Sequence, residues 1–408
     1  MSTEDESGDA QDPDVPVTEC PVCRVDVPAG EYCGLCGLPL KEHKHDGPGW
    51  LRMRAFASAP GENLFFPSVA SSLFPQLPAK SRAPFRLALI VVVVALVAFA
   101  MFRLPAALVA VAALGLPLLF VLYLHEIDAH RDVTFNVLAL TVVLGIGLGI
   151  CWVLLTGAMV ARSYGVPLGS GIAAYRLMRE GLGVPLGSAI LALLPVVLVR
   201  FTQPGNREAL DGFMIGALGA LSFGAAATLT RLAPQFTTGM VARGRPMEGL
   251  LVEAGIRGVA MPLTAAAAGG LVGAALWFKR PPSKADQRPG LVRGILLLFG
   301  VVVLVVYASL GLVDVVNMPQ IWQLACHLVV AVLALLVLRI GLHLALLNEA
   351  HDEIHSDQPI LCTHCGHVVP DMAFCPACGA ATHASSRSSR AARRGTRPVR
   401  AEAEGDRQ

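Results

Sequence analysis

Eight long apolar runs dominate this chain, and they leave it few ways to fold. A hydrocarbon layer about 30 Å thick takes roughly 20 apolar residues as a helix, since no water is present there to satisfy open backbone groups. Runs near that length recur at 87–102, 104–124, 135–160, 184–201, 209–232, 254–278, 291–314 and 321–347. With 54% hydrophobic residues, 15% charged residues and a mean hydropathy of +0.60, the chain lies outside the range of soluble domains. The expected fold is therefore an α-helical polytopic membrane protein of about eight transmembrane helices. The first two runs meet at Arg103-Leu104-Pro105, which implies a tight helical hairpin. The runs at 184–201 and 254–278 give the weakest signal, being rich in Gly and Ala and interrupted by Pro185, Pro195 and Pro262.

Two four-cysteine clusters flank these runs: Cys20, Cys23, Cys33 and Cys36 near the start, and Cys362, Cys365, Cys375 and Cys378 near the end. Each is a pair of Cys-x-x-Cys knuckles with nine residues between the pairs. One knuckle presents two thiolates to one ion, and two knuckles complete the tetrahedron that zinc prefers. Glycines lie beside three of the knuckles (Gly34 and Gly37, Gly366, Gly379), where a tight turn needs unusual backbone angles. Disulfides or redox dithiols would also use paired cysteines. The first need an oxidising compartment, which no signal peptide suggests, and the second a strand–helix unit that neither cluster has. The phrases "YCGLCGLPL" and "FCPACGA" resemble the zinc-ribbon family, small β-hairpin modules that contact protein or nucleic acid. The cofactors expected are two structural Zn2+ ions, because four thiolates leave no open position for water. His43, His45, His364 and His367 are expected to face solvent, and Cys151 and Cys326 to be small buried hydrophobes.

These features divide the chain into an acidic disordered tail (1–19), a ribbon (20–45) and a linker or membrane-surface segment (46–86). The transmembrane domain (87–347), a juxtamembrane helix end (348–361), a second β-type zinc ribbon (362–384) and a disordered basic tail (385–408) follow. An even number of spans puts both termini on one side. A cytoplasmic side places Lys80, Arg82, Arg86, Arg131, Arg200, Arg207, Lys279, Arg280, Lys284, Arg288 and Arg293 inside. Arg103, Arg162, Arg176, Arg179, Arg231, Arg243 and Arg245 then fall outside, so every juxtamembrane lysine is inside. Reduced cysteines require the same side. The localisation expected is the inner (plasma) membrane, multi-pass, with both termini cytoplasmic. Arginine far outnumbers lysine and alanine is abundant, as in GC-rich genomes such as those of actinobacteria. The basic tail, with Arg387, Arg390, Arg393, Arg394, Arg397 and Arg400, either contacts anionic headgroups or is simply solvated. Nucleic acid is disfavoured as a partner, since no aromatic residue interleaves these arginines.

Few ionisable residues lie within the spans, and such residues are costly enough to suggest function. They are Asp211, Arg257, Asp314, His327, Arg339 and His343. Asp211 and Asp314 are expected near the interface and hydrated, His327 as a neutral core histidine, and Arg339 as the charge that needs a partner. The loop from His125 to Asp132 has two histidines and three carboxylates, yet its histidine spacing puts the rings on different helix faces. A solvated charge cluster is the expectation there. His351 and His355 share a helical face but lack the glutamate of zinc peptidase helices.

The segments "PLGSAILALLP" (185–195), "LDGFMIGALGALSFGAAATL" (210–229) and "IRGVAMPLTAAAAGGLVGAAL" (256–276) resemble the three core segments of PrsW-type intramembrane metalloproteases. That likeness rests on proline and glycine placement, Asp211-Gly212 and Phe223. It implies a Glu-Glu-x-x-Lys motif on Ser188, Ala189 and Ala192, the glutamate of Phe-x-x-x-Glu on Ala227, and an essential histidine at or near Ala265. None of those catalytic groups is present, so the resemblance implies an inactive relative, a pseudoprotease. Without a metal-bound or base-activated water, peptide hydrolysis has no nucleophile. The function expected is a non-enzymatic membrane scaffold or adaptor whose ribbons bind proteins. The alternatives are a PrsW-type protease with unorthodox ligands, and a transporter or lipid-handling protein. Small-residue faces at Gly212, Gly216, Gly219 and Gly224, at Gly269, Gly270 and Gly273, and at Gly145, Gly147 and Gly149 are expected to join helices within the chain.

Overall fold

In a computed structural model of the chain, residues 16–40, 64–65, 68–77, 79–163, 179–202, 208–236, 247–279, 289–315, 318–349, 355–362, 365–382 and 387–395 are described. Among the described residues, eight helices are long and apolar enough to cross a membrane: Ser81–Met101, Pro105–Glu126, Phe135–Met159, Gly181–Thr202, Ala209–Leu232, Met247–Trp277, Gly290–Asp314 and Gln320–Asn348. They are called here the first to eighth spans. The chain divides into two compact units, one made of these helices and one made of both terminal regions.

Within the helical unit the fifth and sixth spans form the centre, with 72% of each most apolar window buried, against 11% for the first span. Their glycine content explains this. Gly212 and Gly216 of the fifth span lie against Gly273 and Gly269 of the sixth, so close that a Cβ on any of them would overlap the facing backbone. On the other side, a Cβ at Gly149 of the third span would lie 2.6 Å from Phe223 O, and one at Gly145 2.8 Å from Gly219 O. Without a hydrophobic drive in lipid, close backbone approach and dispersion hold helices together. The small-residue faces thus pair within one molecule, as expected. Gly147 and Gly224, which have open space around their Cβ positions, are the exceptions.

The sixth span begins at Met247, seven residues before the apolar run alone suggests, and contains a π turn at Ile256–Ala260. A second π turn, Arg179–Gly183, opens the fourth span. Each precedes a proline, Pro262 or Pro185, whose ring and missing N–H disrupt the regular ladder just upstream. These are the two runs whose prolines weakened the sequence signal.

Residues 68–77, assigned from sequence to a linker or membrane-surface segment, pack inside the helical unit. A short helix, Val69–Leu73, buries Ser71, Ser72 and Leu73. Phe74 follows, with its ring 5.4 Å from both Phe85 and Tyr123. The Tyr123 hydroxyl donates to Pro75 O at 3.0 Å, and Arg339 of the eighth span donates from Nη1 to Ser71 Oγ at 2.9 Å. The segment thus gives a buried arginine a partner in Ser71 and sets the Phe74 ring among those of Phe85, Phe120 and Tyr123.

The other unit contains two antiparallel strand pairs, β1 (Val17–Glu19) with β2 (Asp26–Pro28), and β3 (His355–Leu361) with β4 (Val368–Asp371). Its C-terminal helix, Arg387–Gly395, corrects the expectation of disorder for that stretch of the basic tail. Arg390 is buried, Arg394 Nε lies 3.2 Å from Asp371 Oδ2, and Arg393 Nη2 donates to Thr382 O at 2.9 Å. Paired with the second cluster's hairpin, these arginines have a reason to be ordered. The acidic residues Glu4 to Asp14, the series from Trp50 to Phe56, His43, His45, His351, His364, Arg397 and Arg400 lie outside the described residues.

Candidate metal centres and a cavity between the spans

All four knuckles share one construction. Arg24, Gly37, Gly366 and Gly379 each donate a backbone N–H to the first cysteine's carbonyl, of Cys20, Cys33, Cys362 and Cys375 respectively, at 2.8–2.9 Å. All four residues sit at positive φ, between 52° and 73°. Three are glycines, for which that conformation is easy; Arg24 is the fourth, and no glycine marked its turn in the sequence.

The turns converge the sulfurs. In each cluster the four thiol sulfurs lie within 4.8 Å of one another. Cys20 and Cys36 are 3.7 Å apart at sulfur, and Cys362–Cys378 and Cys365–Cys375 are both 3.8 Å. A tetrahedron with metal–sulfur bonds of about 2.3 Å has edges of about 3.8 Å, whereas a disulfide is near 2 Å. The donors therefore match a four-thiolate metal site, and all eight cysteines are free thiols. Burial pushes the Cys33 and Cys36 thiols up to about 11. The neighbouring Cys362 thiol, with burial, brings Cys375 up to about 12 against the opposing hydrogen bond with Cys378, and Cys362, Cys375 and burial raise Cys378 well above the usual thiol value. Cys20 is held at about 7, burial being outweighed by the backbone N–H groups of Cys23 and Val22. Crowded thiols that resist ionisation one by one need a cation to become thiolates together. Among the described residues no other group brings three or more ligand-type side chains together.

The two clusters are not separate knobs. They pack as one unit with reciprocal contacts, in which Tyr32 occupies the place in the first ribbon that Phe374 occupies in the second. Tyr32 N–H donates to Pro376 O at 3.0 Å, and Phe374 N–H donates to Gly34 O at 2.9 Å. The Tyr32 ring covers Gly379, and the Phe374 ring covers Gly37. Met372 lies on Gly34 while Pro376 lies on Gly30. Each contact thus has its mirror, the arrangement of an isologous dimer made within one chain. Both rings are buried.

In the helical unit, Ser188, Ala189, Ala192, Phe223, Ala227 and Ala265 all line one cavity of about 110 Å3. These positions, picked out in the sequence from a likeness to a protease core, come together from three spans. Among the described residues, no carboxylate, histidine or cysteine lines this chamber. It shares Ser188, Arg231, Arg257, Met261 and Tyr307 with a wider vestibule of about 660 Å3. There Arg257 Nε lies 3.3 Å from Glu253 Oε1, and His327 Nε2 lies 3.1 Å from Asp314 Oδ1. Sequence reasoning did not single out Arg231, Glu253 or Tyr307. The available signal was helical spacing: Phe223, Ala227 and Arg231 repeat at i, i+4, i+8 on one face, as do Arg257, Met261 and Ala265.

The remaining expectations divide. Asp211 is buried rather than hydrated, and at the start of the same helix the buried Glu349 accepts from Ala209 N–H at 2.6 Å. A carboxylate there favours the positive end of the helix. His343 is buried, and His327 is a core residue held by Asp314. Asp128 lies 3.5 Å from Arg131 and 4.0 Å from His130, all half exposed, which makes the 125–132 loop a solvated charge cluster. His367 is exposed. Cys151 is exposed on the apolar third span instead of buried, and Cys326 is half-buried. An apolar face that would meet lipid tails accommodates a thiol as readily as a core does.

Comparison with family models, with curated proteins and with solved structures finds no match for this chain.

Proposed function

We propose that this protein is a non-enzymatic integral membrane adaptor, anchored by its eight spans and presenting both ribbons as one zinc-stabilised module for protein partners. The observation that carries this reading is the reciprocal pairing of the ribbons. Two small metal sites clasped together give a single composite surface for a partner. Zinc is the metal favoured by four thiolates at tetrahedral spacing, and a closed shell makes it structural. Reduced thiols and the lysine bias favour a plasma membrane location with this module in the cytoplasm.

The chamber supports the non-enzymatic part of the reading. Where the PrsW likeness requires acids, a lysine and a histidine, alanine and serine line an apolar wall. The carboxylates of the vestibule are engaged by Arg257 and His327. On this reading the chain is an inactive relative that kept the packing of such a core and lost its chemistry.

Metal analysis and partner capture test the proposal together. Purified protein should hold two zinc ions per chain, both lost when the eight cysteines are replaced by serine, and crosslinked partners should be lost with them. Recovery of the same partners by the cysteine-free variant would remove the adaptor role. A third, cysteine-independent ion would revive a protease.

A further inference from the structure

We propose that the connected chamber and vestibule bind an anionic phospholipid from the surrounding bilayer, with the phosphate at Arg231 and one acyl chain ending in the chamber. Four features of the cavity lead there. First, its two compartments differ in chemistry. The chamber is walled by Ala, Leu, Pro, Phe and Met from five spans, and the vestibule adds Glu253, Asp314, Gln320, Gln323 and His327. A cavity with one apolar end and one polar end matches an amphiphile.

Second, the charges do not cancel. Glu253 is taken up by Arg257, and Asp314 by His327. Arg231 lines both compartments and has no acidic partner among the described residues. An exposed arginine at the end of the fifth span, facing the cavity without a carboxylate, is complementary to an incoming anion, and a guanidinium suits phosphate oxygens in particular.

Third, the vestibule residues occupy matching ends of their helices. They fall at the start of the fourth span, the end of the fifth, the start of the sixth, the end of the seventh and the start of the eighth. In an alternating bundle those ends share one face, so the polar compartment lies at headgroup level and the apolar one below it. Fourth, size agrees. Apolar voids of about 150 Å3 take up a benzene-sized guest, so a chamber of about 110 Å3 suits the last few carbons of a chain. The wider vestibule, about 660 Å3, accommodates the bulkier polar part.

The test uses the full-length protein in phosphatidylcholine vesicles containing a minority of phosphatidylglycerol, extracted in a neutral detergent, with retained lipid measured by mass spectrometry. The protein should retain phosphatidylglycerol over phosphatidylcholine by about tenfold, the factor one charge-assisted hydrogen bond supplies. Arg231→Gln should erase the preference and Arg231→Lys should keep it. Ala227→Leu, which fills the chamber without touching charge, should lower retention of the lipid while leaving zinc content at two ions per chain. Equal retention of the two lipids by the unmodified protein, or an unchanged preference in Arg231→Gln, would overturn the proposal. So would a preference for free oleate over phosphatidylglycerol when both are offered.

Discussion

The two units of this molecule hold themselves together by opposite means. The ribbon unit is small, and its eight thiols supply what a hydrophobic core of that size cannot. The helical unit has apolar surface to spare, and specificity comes from what its central spans lack: glycine at Gly212, Gly216, Gly269 and Gly273 lets two backbones touch. One unit is set by ligands, the other by absent side chains. The lesson is that each has a different point of failure, and a perturbation that destroys one should leave the other standing.

Metal removal should give the largest effect. Structural zinc contributes on the order of 10 kcal/mol to a small site, so chelation or replacement of Cys33 and Cys375 by serine should unfold the ribbon unit. The helical signal in circular dichroism should persist. Loading should also weaken as pH falls, because each thiol must give up its proton to bind metal, and Cys33 and Cys36 hold theirs up to about 11. Zinc retention against a competing chelator, followed from mildly alkaline to mildly acid buffer, checks that sign.

Next in size is Gly216→Leu, which drives a side chain into the backbone of the sixth span. A loss of about 3 kcal/mol or more is expected in detergent unfolding, with the zinc content unchanged. Tyr32→Ala works on the ribbon side, opening the clasp over Gly379 and costing about 3 kcal/mol in the metal-loaded unit. The smallest effect belongs to Gly147→Ala, where nothing surrounds the new methyl. It should change stability by less than about 0.5 kcal/mol, and a large loss there would undermine the packing explanation.

Legibility in the sequence follows the same divide. Cysteine spacing announces the metal sites because ligand geometry is local, and three of the four left-handed turns carry a glycine. Arg24 was invisible because its conformation is imposed by the knuckle around it. Hydropathy announces eight spans because the requirement for apolar length is local too. Long-range facts were out of reach: the pairing of the ribbons joins residues from opposite ends of the chain, and Ser71 reaches Arg339 from a segment that reads as a linker. The cavity lies between. Its chamber positions were picked out from a likeness to a protease core that no comparison matches, whereas the place of Arg231 depends on which faces of the fifth and sixth spans look at each other.

Interlocking of the two ribbons is tested most directly by following zinc release from the second ribbon when only the first is damaged. In the protein carrying Cys33→Ser, the remaining ion should leave to a chelator markedly faster than in the unmodified chain, since Phe374 and Pro376 lose their partners. Release from the second ribbon at an unaltered rate would show two independent knobs, and the single composite surface would have to be abandoned.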